Sequence, residues 1–247
     1  MTNQIRQHLA ALKAAGIDFI PRPSPAARIE ISPVAAPAEE APAPEAETVV
    51  TNPTTVDQRR VALQLLAKEI EPCSRCEELF STRTQTVFGV GKIEPDICFV
   101  GEAPGADEDR QGEPFVGAAG QLLNKIITAC GFQREDVYIC NILKCRPPGN
   151  RNPAPDEAEN CRGYLERQIE LVKPKYLVAL GGIAAKNLLQ TNIGIMKLRG
   201  KMYEYRGIPL MCTFHPAALL RNESWKRDCW EDMKMLLRVM GRPVPGT

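Results

Sequence analysis

Phe99-Val100-Gly101-Glu102-Ala103-Pro104-Gly105-Ala106-Asp107-Glu108-Asp109 decides how the rest of the chain is read. An apolar run stops at a turn built from glycine, proline and carboxylates. That is the pattern of a buried strand ending in a loop that presents Glu102. Open parallel sheets bind ligands just beyond the carboxyl ends of their strands. Glu102 is therefore the reference point for every other candidate residue.

Compact apolar runs at 96–100, 137–140, 176–180 and 209–214 each end in a loop opened by Gly, Asn or His, and predict four strands. Helical spacing of apolar residues marks 57–70, 118–130, 157–172, 182–190 and 224–240. Strands alternating with helices predict an α/β fold, a three-layer α/β/α sandwich with a central four-stranded parallel sheet. Residues 21–56 carry eight Pro and eight Ala, which predicts an extended, disordered linker. Ahead of it, within 1–20, Ile5, Leu9 and Leu12 predict a short amphipathic helix. It reads either as a docking element for a protein partner or as a frayed terminal helix. The folded domain is expected over 57–243, with a short tail at 244–247.

Composition excludes little by itself. The formal net charge is +1, divided as −2 over 1–56 and +3 over 57–247, a weak pointer to a polyanionic partner. No apolar run reaches the roughly 20 residues of a membrane span, and the amino terminus lacks the pattern of a signal peptide. Nine cysteines without that signal suit a reducing compartment and metal or thiol chemistry, so a cytoplasmic protein is expected. Four of them stand apart. Cys73 and Cys76 form a C-x-x-C pair at the end of the first helix, and Cys145 and Cys161 flank the polar segment 146–155. A four-thiolate cage of this kind suits Zn²⁺ or an iron–sulfur cluster, and spacing alone does not choose between them. Cys98, Cys140 and Cys212 fall inside strand runs, and Cys130 and Cys229 on helices, as small hydrophobes do.

Three polar residues sit where strands should end: Glu102, Asn141 and His215. In a parallel sheet these positions share one edge and can converge. A carboxylate there can orient or deprotonate water, an imidazole can stabilise a developing anion, and an amide can pair with the edge of a planar ligand. Phe115, before the helix at 118, reads as a stacking surface or as ordinary core. Lys144, Arg146, Arg151, Arg199, Lys201, Arg221, Lys226 and Arg227 lie in or near the loops. They read as a phosphate-contacting rim or as a solvated basic face. Leu219-Leu220 reads as a wedge for a base stack or as packing beneath the last helix. Gly181-Gly182 is a weak phosphate signal.

Gly101-Glu-Ala-Pro-Gly105, Pro114-Phe-Val-Gly117, Asn141 before Lys144-Cys-Arg-Pro-Pro148, and His215-Pro-Ala-Ala218 followed by Arg221-Asn222 resemble family 4 uracil-DNA glycosylases, as do the cysteine spacings. The likeness covers about 57–243. It implies a [4Fe–4S] cluster on Cys73, Cys76, Cys145 and Cys161 and action on uracil-containing DNA; a monomer is expected. It implies Glu102 near the attacking water, Phe115 stacked on uracil, Asn141 on the base edge and His215 on O2. Ala103 would add a main-chain N–H, and Glu108 would sit against C5 and exclude a thymine methyl. Arg146, Arg151, Leu219 and Arg221 become the expected DNA contacts, with Arg75 beside them. The loop Pro147–Pro153 lacks the histidine with which a related group traps its product covalently, so ordinary hydrolysis is expected. Outside the resemblance, the residues alone also admit a non-catalytic nucleic-acid-binding module or a zinc-stabilised hydrolase acting on nucleotides.

Overall fold

A computed structural model describes residues 53–245. The helix expected within 3–15 and the Pro/Ala-rich stretch up to residue 52 lie outside the described residues. The first described helix, α1 (Val56–Ile70), starts where Thr55 accepts the Gln58 N–H and the Gln58 side chain accepts that of Thr55, a reciprocal cap. There follow α2 (Glu77–Thr82), β1 (Val90–Gly91), β2 (Ile97–Gly101), α3 (Ala106–Gln111), α4 (Ala118–Ala129), β3 (Tyr138–Asn141) and α5 (Pro155–Val172). The chain continues with β4 (Tyr176–Leu180), α6 (Gly181–Leu189), α7 (Ile195–Leu198), β5 (Met202–Tyr205), β6 (Ile208–Thr213), α8 (Pro216–Arg221) and α9 (Trp225–Val239).

The sheet has six strands in the order β1-β3-β2-β4-β6-β5, where the sequence predicted four. The four predicted strands pair in parallel with one another, and β1 and β5 add antiparallel edges. Both additions are too short or too polar to stand out as apolar runs. β5 is recruited by a two-residue hairpin through Arg206 and Gly207, both at positive φ (50° and 81°), the backbone that matches the twist of paired strands. The two faces of the sheet carry separate cores. Cys98, Val100, Cys140, Leu177, Ala179 and Cys212 pack under α5 and α6, and Ile97, Phe99, Ile139, Val178 and Met211 pack under α4 and α9. Successive residues of β2 thus point into opposite cores, and all five are buried, which is why the strand reads as an unbroken apolar run. Cys98, Cys130, Cys140, Cys212 and Cys229 are buried as expected. No helix among the described residues is long and apolar enough to cross a membrane.

The order of connections fixes where a ligand fits. From β2 the chain goes to β3 on one side, and from β4 it goes to β6 on the other. A crevice opens at the carboxyl ends between them.

Two helical glycines make the packing measurable. A Cβ on Gly120 would meet the carbonyl oxygen of Phe115 at 1.8 Å, whereas one on Gly163 meets nothing within 4 Å. In urea melts Gly120→Ala should lose at least about 2 kcal/mol and Gly163→Ala should gain up to about 1 kcal/mol. Equal stabilities would show that α4 does not seat tightly on the Phe115 turn.

Candidate active site

Parallel pairing sets Gly101 beside Asn141 at the ends of β2 and β3. The turn after β3 is tied back to β2, because Ile142 N–H donates to the Gly101 carbonyl (3.0 Å) and Leu143 N–H to that of Glu102 (3.1 Å). His215, two residues past β6, ends the approach from the other side and caps α8. Its Nδ1 accepts the Ala217 N–H at 3.1 Å. Glu102, Asn141, Phe115 and His215 thereby line one cleft of about 370 Å³, together with Ala103, Glu108, Pro147, Asn150, Arg151 and Arg221. That volume suits a small planar ligand. Two wider grooves lie elsewhere, near α1 and β1. Charges there pair with each other, Arg59 with Glu94, Arg167 with Glu69 and Arg206 with Glu166.

Glycines permit the close approach. A Cβ at Gly101 would stand 2.3 Å from Asn141 Oδ1 and 2.6 Å from the Phe115 ring, and one at Gly181 would stand 2.9 Å from His215 Cβ. The Gly181 signal therefore belongs to the seating of His215. The Phe115 and His215 rings lie 5.5 Å apart, tilted by 31°. Phe115 holds a positive φ of 55°, an uncommon conformation for an aromatic residue. Glu108 sustains it. One carboxylate oxygen accepts the N–H groups of Val116 (3.0 Å) and Gly117 (3.1 Å), and the other accepts that of Gly105 (3.1 Å). Glu108 lines the cleft, and it also clamps the loop that carries Phe115.

Electrostatics sharpen the roles. Burial, aided by the charge of Arg221, pushes His215 down to about 4, so the ring is neutral at neutral pH. Because Nδ1 accepts a hydrogen bond, the proton sits on Nε2, the remaining donor. Burial raises the Glu102 carboxyl above its ordinary value, as suits a general base. Asn141 is buried, and its Oδ1 is the one buried side-chain polar atom without a partner among the described residues. Such an orphan acceptor is expensive to maintain, typically about 1–3 kcal/mol, and marks a place where a ligand N–H belongs.

The basic rim divides. Arg221 is exposed at the mouth of the cleft, and among the described residues Arg146 bonds only Asn150, at 2.9 Å. Arg151 lines the cleft, but its guanidinium is committed to Glu157, through two hydrogen bonds of 2.6 and 2.9 Å, and to Glu78 at 2.6 Å. Arg199 pairs with the buried Asp232, and Lys144 is wholly buried, so neither belongs to a rim. Arg75 stacks on Tyr164 at 4.3 Å and bonds the Asn160 carbonyl. Leu219 corrects the wedge expectation. It is 1% exposed, packed with Phe214 and Cys229, whereas Leu220 is 46% exposed. The turn of α8 decides which leucine faces out, and no apolar pattern of two adjacent leucines reveals that.

Cys76, Cys145 and Cys161 share an apolar nest with Leu79, Leu143 and Ala103, and Cys73 lies at the end of α1 against Leu66, Ile70 and Tyr164. Among the described residues no three His, Cys, Asp or Glu side chains stand close enough to hold one metal ion. Sulfur-directed donors reach three of the four thiols. Arg83 reaches Cys145 Sγ (2.8 Å), Asn160 reaches Cys76 Sγ (3.4 Å), and the Lys144 main-chain N–H reaches Cys161. Burial, with a smaller contribution from the neighbouring thiols, raises Cys145 and Cys161 above the ordinary thiol range. A donor set of four thiolates with N–H groups aimed at sulfur fits a cluster whose irons each take one cysteine.

Residues 88–234 match the Uracil DNA glycosylase superfamily. The chain is 43% identical to a type-4 uracil-DNA glycosylase of Archaeoglobus fulgidus, over 74% of this chain and 96% of the relative. It is 42% identical to one of Thermotoga maritima, over 67% and 87%. A type-5 uracil-DNA glycosylase of Pyrobaculum aerophilum is more distant, at 29% over 60% and 79%. With a glutamate, an asparagine, a phenylalanine and a neutral histidine gathered at one sheet edge, and four cysteines beside it, the chain belongs to the uracil-DNA glycosylase superfamily and, within it, is a type-4 protein.

Proposed function

We propose that this chain is a DNA-repair glycosylase that hydrolyses the N-glycosidic bond of uracil in DNA, leaving an abasic site. The orphaned Asn141 Oδ1 carries this reading. A buried acceptor on a residue that lines a cleft with room for one base suits the N3–H of uracil, while the Nδ2 amide suits O4. Cytosine presents an acceptor at N3 and leaves Oδ1 unpaired, which is the basis for discrimination.

A uridine turned out of the stack would lie against Phe115. As the bond from C1′ to N1 breaks, its electrons pass to the base and charge grows on O2. The Nε2–H of neutral His215 and the Ala103 main-chain N–H stabilise that charge in a largely desolvated site. Water held by Glu102 bonds to the oxocarbenium-like C1′ and gives up its proton to the carboxylate. The uracil anion takes a proton on release. Arg221 and Arg146 are the cations best placed for phosphates, with Leu220 exposed beside Arg221. Arg151 serves by holding the Pro147–Pro153 loop. We further propose that Cys73, Cys76, Cys145 and Cys161 hold a [4Fe–4S] cluster, whose contribution is a covalent tie between distant segments. We take the protein to act as a monomer, and nine free cysteines suit a reducing cytoplasm.

An oligonucleotide with a single uracil tests the reaction. Alkali-labile scission should appear only with uracil present, and Glu102→Ala and Asn141→Ala should each slow it at least about 100-fold. Undiminished turnover in both variants would refute the site. The cluster predicts brown protein with broad absorption near ~400 nm and about four irons per chain, both lost in Cys161→Ser. A colourless zinc protein would refute it. His215 predicts a stability profile. The unfolded side chain binds its proton near 6.5 and the folded one only near 4. Stability is therefore full above about pH 6.5 and declines as pH falls toward 4. Urea titrations should show wild type losing on the order of 2 kcal/mol more across that window than His215→Gln, since all other titrating groups are shared.

A further inference from the structure

Lys144, read from the sequence as part of a solvent-facing rim, is one of the largest fully buried side chains of the protein. Its ammonium donates to the Asn141 carbonyl at 2.8 Å and to Gln168 Oε1 at 2.5 Å. Gln168, equally buried on α5, is fixed in turn, since its Nε2 donates to the Phe88 carbonyl and to the Tyr138 hydroxyl, both at 2.9 Å. Tyr138 opens β3 and Asn141 closes it. The ammonium and the amide thus bracket the whole strand from beneath.

A buried ammonium is costly unless its donors are satisfied. An apolar side chain of the same length would fill the space without that cost. What such a side chain could not do is hold the Asn141 carbonyl. That carbonyl belongs to the peptide whose N–H, on Ile142, bonds Gly101. With both its ends held, the peptide plane after Asn141 is fixed, and with it the direction in which Asn141 sends its amide into the cleft. No bond to the amide oxygen does this, because Oδ1 has no partner.

We propose that Lys144 is a positioning residue for Asn141. Together with Gln168 it fixes the aim of the base-reading amide and touches no substrate. The inference rests on the uracil-excision reading and deepens it.

A double-mutant cycle tests it, with kcat/KM for uracil release measured in wild type, Lys144→Met, Asn141→Ala and the double variant. Lys144→Met should lose about 30-fold with Asn141 present, chiefly through KM, because a misaimed amide weakens base binding. With Asn141→Ala it should lose less than about 3-fold, since nothing remains to aim. Equal losses in both backgrounds would overturn the inference, because a general packing defect acts regardless of Asn141. Should Lys144→Met fail to melt cooperatively, Gln168→Leu replaces it. It should lose about 5-fold with Asn141 and none without, and equal loss in both backgrounds, or no loss in either, overturns the inference. If wild type itself releases no uracil, it is the parent reading that falls.

Discussion

The parallel pairing of Gly101 with Asn141 is the contact on which the site depends. Neither residue would serve alone. Gly101 contributes the absence of a side chain, which lets Asn141 Oδ1 and the Phe115 ring come within the space a Cβ would occupy. Asn141 contributes the amide. Because the next residues of each strand are tied across, Ile142 to Gly101 and Leu143 to Glu102, the register of two strands also sets the spacing between the Asn141 amide and the Glu102 carboxylate. A slip of one residue would turn every side chain of β3 to the opposite face. Burial of the strand in both cores forbids it.

The site holds several features that a fold would otherwise avoid. Asn141 keeps an unpaired acceptor, Phe115 keeps a positive φ, and His215 is stripped of its solvent. Each is unfavourable by itself and each persists because neighbours over-determine it. Glu108 grips the Phe115 turn through the main-chain amides of Val116 and Gly117 and ties it to that of Gly105. Gly120 gives α4 room to press on the Phe115 carbonyl. Gly181 admits His215 against the end of β4. The two cores supply the stability that permits this, with dozens of buried side chains each contributing roughly 1.5–3 kcal/mol.

The sequence was most legible where one physical cause dominated. Unbroken apolar runs located the four parallel strands to within about a residue of their observed ends, and the strand-end rule located Glu102, Asn141 and His215. Phe115 and the four cysteines followed from spacing and resemblance. Legibility failed where partners decide. Whether Lys144 faces water or Gln168, and whether Arg151 meets phosphate or Glu157, depends on side chains from α5, 24 and 6 residues away. Adjacent Leu219 and Leu220 differ only by the rotation of a six-residue helix. The edge strands escaped because two residues at β1 carry no periodicity and β5 is half polar. Glycines closing a strand or opening a helix announce close approach, and Gly101 and Gly181 both did.

The four cysteines gain their meaning from position. Cys145 lies four residues past Asn141, and Ala103, beside Glu102, packs in the same nest as Cys76, Cys145 and Cys161. A tie made at these sulfurs would act on the turn that carries Glu102 rather than on a remote lobe. It would also act on the loop from Pro147 to Pro153, which lines the cleft and has little core of its own. That loop starts beside Cys145 and is pinned by Arg151 to Glu157 on α5 and to Glu78 on α2, one residue past the start of the helix that Cys76 caps. Joining segments some 70 residues apart removes conformational freedom that grows only slowly with loop length. The larger benefit is local. A loop anchored at both of its neighbouring helices presents its cleft-facing residues to DNA without having to order them at each encounter.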